Sequence, residues 1–259
     1  MTIERLKTGI KGFDQLVEGG IPRGYQIMVS GLAGTGKTIF TLETLYRGAK
    51  EFNEPCIYAV IGEDNEKVIR DQAERFNWDL DKTPNFKLLV IPVTENNFDL
   101  VSRIKEEAAK MGAKRIGIDS LSALTVNSIL FERGMANKLM EHADYAVAES
   151  LDPKYNGGAT QHLIYLFIAN MQAIGATVFY VTDLQANGES KDGVSEYVGD
   201  GLIKLSTIEF SGGPVRVLKI EKLRSTKTPL EYFGLVIGSN GLETVPLSKW
   251  LSNERLYKK

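Results

Sequence analysis

A chain of 259 residues, 43% hydrophobic and 25% charged, carries enough apolar material for one large α/β core. Its formal net charge of −2 gives no global basic excess for nucleic acid or acidic membrane, and its single cysteine, Cys56, excludes an internal disulfide. The start, Met1-Thr2-Ile3-Glu4-Arg5, has no apolar signal-peptide core, and no stretch reaches the ~20 apolar residues that span a bilayer. A cytoplasmic, membrane-free protein is expected, with Cys56 as core packing.

In chain order, short apolar runs alternate with amphipathic stretches, the pattern of a parallel sheet with helices on both faces. Gln26–Ser30 reads as a strand, and Thr38 to about Lys50 as a helix with Phe40, Leu42, Leu45 and Tyr46 on one side. Pro55–Ile61 and Phe86–Ile91 read as strands, with Asn65–Phe76 as the helix between them. Asp99–Met111 has Leu100, Ile104 and Ala108 in helical register, and Arg115–Asp119 is a buried strand ending in a carboxylate. A helix near Gln161–Ile174 leads to the strand Thr177–Val181. Leu202–Phe210 and Val215–Lys222 flank Ser211-Gly212-Gly213 as a hairpin, and Gly234–Ile237 and Leu242–Val245 continue an antiparallel extension. The chain is expected to be a single domain over 1–259, with a candidate insertion at 127–158. Within it, Ile129–Ser150 has helical character and Asp152-Pro153-Lys154-Tyr155-Asn156-Gly157-Gly158 is turn chemistry.

Directly after the first strand stands Gly31-Leu32-Ala33-Gly34-Thr35-Gly36-Lys37-Thr38, a complete Walker A octapeptide between a strand and a helix. Its glycines let successive backbone N–H groups converge on phosphate oxygens, helped by the positive end of the following helix. Gly31, Ala33, Gly34, Thr35, Gly36, Lys37 and Thr38 are therefore the expected nucleotide-binding residues. Lys37 reaches the β- and γ-phosphates, and the Thr38 hydroxyl coordinates Mg²⁺. Asp119 is the expected second Mg²⁺ residue, in the Walker B position; the alternative is a cap on the next helix. Glu63 and Asp64 follow a strand end that lines the ligand crevice of such a sheet, so they are candidates to position and polarise water. Alternatively, Asp64 caps a helix and Glu63 is a solvated loop residue.

Taken together, the motifs resemble the KaiC-like branch of the RecA superfamily. The resemblance rests on Thr8-Gly9-Ile10-Lys11-Gly12-Phe13-Asp14, Gly19-Gly20-Ile21-Pro22-Arg23-Gly24, the octapeptide and Phe76-Asn77-Trp78-Asp79-Leu80. It continues through Arg115-Ile116-Gly117-Ile118-Asp119-Ser120, Gly193-Val194-Ser195-Glu196-Tyr197-Val198-Gly199-Asp200 and Lys222-Leu223-Arg224-Ser225-Thr226. It implies a RecA-like P-loop core and a homo-oligomeric, commonly hexameric ring with ATP at the subunit interfaces. Lys222 and Arg224 match the Lys-x-Arg pair that reaches the γ-phosphate held by a neighbouring subunit, where an arginine stabilises transition-state charge. With Glu63 and Lys37 they complete the expected catalytic set.

Four departures qualify the resemblance. Gly62 and Glu63 stand where the family has two adjacent glutamates, which predicts slow hydrolysis. The family's Lys-Leu-Arg-Gly-Thr-Ser-His appears as Lys222-Leu223-Arg224-Ser225-Thr226-Lys227-Thr228, without the histidine. The stretch at 127–158 exceeds the family's short connection, and one ATPase domain replaces the tandem pair of clock members, so no circadian role is implied. Ser195-Glu196 occupies the place of a phosphoacceptor pair, which raises autokinase activity at Ser195 against an unmodified loop serine. A ring-forming ATPase that uses hydrolysis as a regulatory switch or timer is the leading expectation, with a protein partner as a further candidate. The alternatives are a recombinase-like single-stranded-DNA binder and an ATP-binding scaffold with little hydrolysis. Residues 127–158 carry Arg133, Lys138 and Lys154 against Glu132, Glu141, Asp144, Glu149 and Asp152, a net-acidic balance that disfavours DNA.

Overall fold

The computed structural model describes residues 3–62, 65–92, 100–126, 158–185, 188, 190–191, 193–210 and 213–252. The chain opens with β1 (Arg5–Leu6), α1 (Phe13–Leu16) and β2 (Ile21–Pro22), the two strands forming a small antiparallel pair. Then come β3 (Gln26–Gly31), α2 (Lys37–Glu51), β4 (Cys56–Ile61), α3 (Asn65–Arg75), β5 (Phe86–Ile91), α4 (Leu100–Met111), β6 (Arg115–Asp119) and α5 (Ser122–Val126). Beyond 157 lie α6 (Gly158–Gln172), β7 (Thr177–Asp183), α7 (Ser195–Val198), β8 (Gly201–Phe210), β9 (Gly213–Leu223), β10 (Phe233–Gly238), β11 (Gly241–Pro246) and α8 (Leu247–Ser252).

Among the described residues the main sheet has the order β11-β10-β9-β8-β3-β7-β6-β4-β5. It is parallel from β8 across to β5 and antiparallel from β8 out to β11. The expected α/β class, with its antiparallel C-terminal extension, is therefore present. Successive side chains of a strand face opposite ways, so each central strand feeds two cores. Cys56, Tyr58 and Val60 join the cluster containing Phe40, Leu42 and Leu45 of α2. Ile57, Ala59 and Ile61 join the other, with Ile104 of α4 and Phe167 of α6. This two-sided burial is why β4 reads as an unbroken apolar run.

Two of the motif segments outside the octapeptide are structural fasteners. Asp14 accepts hydrogen bonds from the Thr8 amide (2.9 Å), the Thr8 hydroxyl (2.7 Å) and the Gly9 amide (3.1 Å), which closes the N-terminal turn. Trp78 is buried, with Phe76 stacked 4.6 Å and Tyr46 of α2 5.4 Å away between ring centroids, and this locks the end of α3 onto α2.

Some boundaries differ from the sequence expectation. The helix expected from Gln161 begins at Gly158, so Gly158 is helical rather than part of the preceding turn. β7 runs on to Asp183, because its hydrogen-bonded neighbour β3 continues to Gly31. Gly213, expected in the hairpin turn, already pairs with Phe210 as the first residue of β9. The expected helix over Ile129–Ser150 lies outside the described residues, as does most of the candidate insertion.

Candidate nucleotide site

β3 delivers the chain to the octapeptide at Gly31, and α2 leaves it at Lys37. Gly34 (φ 78°) and Gly36 (φ 103°) take left-handed backbone, which side chains rarely adopt. At Gly31 space is the constraint: a Cβ there would lie 2.4 Å from the Leu205 carbonyl and 2.6 Å from Thr35 Oγ1. The loop is held from within, since Thr35 Oγ1 donates to the Leu32 carbonyl at 2.8 Å. Gly36, at the N-cap of α2, makes no side-chain cap, and the first amides of the helix can meet an anion there. Lys37 is 7% exposed; its Nζ donates to the Leu32 carbonyl (3.0 Å) and pairs with Asp183 Oδ1 (3.1 Å). Asp183 stands one strand away, where β7 pairs with Gly31.

Asp119 closes β6 beside the loop. Its Oδ2 accepts the Thr38 hydroxyl at 2.8 Å and the Tyr58 hydroxyl at 2.7 Å. Burial raises the Asp119 pKa, opposed by the Tyr58 and Thr38 hydrogen bonds and by the Lys37 charge. Burial, with the Asp119 charge beside it, holds the Tyr58 phenol well above its ordinary range, so Tyr58 remains a donor. Tyr58 was not among the expected site residues. The signal for it is Gly117, opposite Tyr58 in the β4–β6 register, where a Cβ would come 3.1 Å from the Tyr58 ring. The missing side chain leaves the phenol room to reach along β6 to Asp119.

A cleft of about 500 Å³ opens beside the loop, lined by residues that include Gly36, Lys37, Thr38, Gln72, Arg75 and Arg216. Arg216 Nε donates to the Gly34 carbonyl at 3.2 Å, tying β9 to the loop. Gln72, Arg75 and Arg216 escaped sequence reading because α3 and β9 meet the loop only after folding.

The residues present suit a magnesium nucleotide. Left-handed glycines leave a cradle that a side chain would strain, a buried lysine spans it, and a hydroxyl and a carboxylate meet at its mouth, the hard oxygen donors that Mg²⁺ takes.

The basic pair lies elsewhere. Gly201 of β8 pairs with Ile27 on one side and with Leu223 on the other, whereas Gly31 pairs with Leu205. Arg224 therefore leaves the sheet level with Gln26, about five residues and ~16 Å below the loop along the strand direction. Its backbone amide donates to the Asp200 carbonyl (2.9 Å), and Asp200 exchanges further hydrogen bonds with Gln26. The Arg224 guanidinium is 58% exposed and pairs with Asp200 Oδ1 at 2.9 Å. Lys222 Nζ donates to the carbonyls of Gly199 and Tyr197 (3.3 Å), at the end of α7. Burial and the neighbouring Arg224 charge lower its pKa, with Asp200 opposing. Within one chain, Lys37, Thr38 and Asp119 come together, and Lys222 and Arg224 do not join them. Glu63 and Asp64 lie outside the described residues. Ser195 opens α7 and is fully buried rather than a loop serine, while Glu196 accepts the Ser190 amide and hydroxyl, both at 2.7 Å.

The family model described as "ATPase: KaiC" matches residues 6–142 and 150–249. The chain belongs to the KaiC ATPase family. The circadian clock oscillator protein KaiC of Prochlorococcus marinus (strain MIT 9313) is 28% identical over 98% of this chain and 48% of its own length. This chain thus spans about half the length of that clock relative. The UPF0273 protein MJ1359 of Methanocaldococcus jannaschii is 26% identical over 94% of this chain and 97% of its own length. Among solved structures, the KaiC-like protein PH0186 from Pyrococcus horikoshii OT3 superposes with a TM-score of 0.72 at 25% identity, covering 95% of this chain and all of that one. Family membership supports an ATP-binding ATPase of RecA type, and among the described residues no helix is long and apolar enough to cross a membrane.

Proposed function

We propose that this KaiC-family chain binds Mg·ATP in the cradle at 31–38, hydrolyses it slowly, and does so as a ring in which each site is completed by the next subunit. The observation that carries the proposal is the meeting of Lys37, Thr38 and Asp119 at one end of the sheet. Backbone amides of the loop and Lys37 would bind the β- and γ-phosphates. Thr38 and Asp119 would hold Mg²⁺, which supplies charge neutralisation on the phosphate oxygens. Tyr58 fixes the Asp119 carboxylate so that one oxygen faces Thr38. The cleft bounded by Gln72, Arg75 and Arg216 would receive the nucleoside end. Glu63 is proposed as the residue that positions water, and Gly62 in place of a second carboxylate supports a low rate.

The trans arrangement rests on distance. Arg224 is exposed and leaves the sheet about five residues (~16 Å) below its own cradle, so a phosphate it reaches would belong to another copy of the chain. A guanidinium donates two parallel hydrogen bonds to a phosphate, which lysine cannot. Arg224 would supply the finger, with Lys222 assisting once it leaves the carbonyls it now caps. Coupling of nucleotide state to assembly would make the ring a regulatory switch. A scaffold reading, with ATP bound and hardly turned over, is favoured by Gly62 alone.

The testing experiment is ATP turnover measured together with native mass, with and without single-stranded DNA. ATP-dependent assembly with slow turnover and indifference to DNA supports the switch. Binding without turnover indicates the scaffold, and turnover raised by DNA indicates the recombinase-like alternative.

A further inference from the structure

Resting on the reading of Arg224 as a trans-acting finger, we infer that Arg5 is the positioning residue of that finger, holding its loop at the angle from which Arg224 reaches a neighbouring subunit. Arg5 sits in β1, far in sequence from Arg224, and its side chain is largely buried. Its guanidinium bridges two segments. On the loop side, Nη1 donates to Thr226 Oγ1 at 2.9 Å and Nη2 to the Ser225 carbonyl at 3.3 Å. On the N-terminal side it donates to the Gly20 carbonyl (3.1 Å), more weakly to that of Val17 (3.4 Å), and pairs with Glu18 Oε2 at 2.6 Å.

The loop has reason to need such a holder. Ser225 takes left-handed backbone (φ 55°), a conformation that costs free energy in a residue with a side chain. Arg224, just before it, is 58% exposed and its side chain pairs with Asp200 Oδ1 at 2.9 Å. Asp200 thus fixes the finger from the β3 side, and Arg5 fixes the two residues that follow it. Thr226 relays the contact, since its hydroxyl also donates to the Arg224 carbonyl at 3.3 Å. A planar guanidinium can serve both sides at once because its donors lie in a rigid fork, and a lysine would satisfy only part of the set. The Arg5 guanidinium meets the finger's loop, at the far end of the sheet from the cradle, and its loss should leave nucleotide binding in the same chain intact. A misplaced catalytic group lowers the rate without loosening the ground state.

The test uses full-length chains and mixed assemblies. Arg5→Gln should bind ATP within roughly twofold of the parent while kcat falls roughly tenfold, with Arg5→Lys in between. Asp119→Asn weakens the cradle side and leaves the finger intact. Mixed with Asp119→Asn, Arg5→Gln should recover activity above the sum of the separate proteins, because some interfaces then pair an intact cradle with an intact finger. Mixed with Arg224→Ala it should recover nothing, both being defective on the same side. Thr226→Ala removes the loop-side acceptor while sparing the N-terminal turn; it should shift kcat in the same direction by a smaller factor, and it carries the test if Arg5→Gln does not fold. Unchanged kcat in both Arg5→Gln and Thr226→Ala overturns the inference. So does recovery with Arg224→Ala rather than with Asp119→Asn. The control separates the two claims: if Arg224→Ala itself does not recover with Asp119→Asn in confirmed mixtures, the trans finger fails; if it recovers and Arg5→Gln does not, only the role of Arg5 fails.

Discussion

Lys37 Nζ stands 3.1 Å from Asp183 Oδ1, and the two residues face each other across the mouth of the phosphate loop. The lysine is buried and the carboxylate about one-third exposed, so solvent screens the pair in part. A phosphate entering the cradle competes with this carboxylate for the same ammonium and meets its negative charge. Asp183→Asn removes both effects. It should tighten ATP binding by roughly threefold to tenfold, at most about 1.4 kcal/mol after screening. Isothermal titration checks this, and weaker binding would show that Asp183 contributes to holding the metal nucleotide. Lys37→Ala should act oppositely and weaken ATP binding by roughly 10²-fold, the loss of a charged hydrogen bond. Equal affinity in that variant would remove the phosphate role of Lys37.

Glu43 gives the chain a pH-dependent seam between the phosphate-loop helix and the C-terminal hairpin. Its carboxylate is fully buried, accepts the Leu242 amide at 2.7 Å and pairs with Arg47 at 2.7 Å. Burial pushes its pKa up to about 6, with Arg47 and the Leu242 amide opposing. A folded-state value above the unfolded one means the native protein binds this proton more tightly. The contribution of Glu43 to stability is then largest below pH ~4.5 and declines as pH rises to about 6, by ~2 kcal/mol in all. Glu43→Gln has no such titration, so its stability relative to the parent should improve across that window. Denaturant melts of both proteins from pH 4 to 7 measure it; a constant difference contradicts the account.

Gly48 sets two effects against each other. Alanine in a helix interior is normally better than glycine by about 1 kcal/mol. Here a Cβ would lie 2.5 Å from Arg115 Nε. Arg115 is fully buried and donates to Glu54 Oε2 (2.6 Å) and to the carbonyls of Lys7 (2.7 Å) and Thr44 (3.0 Å). Displacing that guanidinium endangers a buried charge network, whose disruption costs roughly 3–5 kcal/mol. Gly48→Ala should therefore destabilise despite its better helix propensity. A rise in Tm would show that Arg115 yields at little cost.

How legible the molecule was follows from the physics of each part. β4 and β6 could be read because central parallel strands are buried on both faces and need unbroken apolar runs. The phosphate loop could be read because its geometry demands glycine at fixed spacing. The strands β1 and β2 were missed: at two residues each they carry no periodicity. Asp119 was legible as a carboxylate at a strand end, but its partner Tyr58 was not, because a tyrosine inside an apolar run reads as core. Arg5 could not have been found at all, since its partners on the finger's loop are one backbone carbonyl and one hydroxyl more than two hundred residues away.

The central claim is that one active site is built from two chains, with Arg224 reaching a phosphate held by another subunit's Lys37 and Thr38. Its most direct measurement is ATP turnover across a mixing series of Arg224→Ala with Asp119→Asn, with subunit exchange confirmed by native mass. Each variant alone should be nearly inactive, and mixtures should regain turnover with a maximum near equal proportions. Turnover that stays at the weighted sum of the two variants throughout, despite confirmed exchange, would contradict a site shared between subunits.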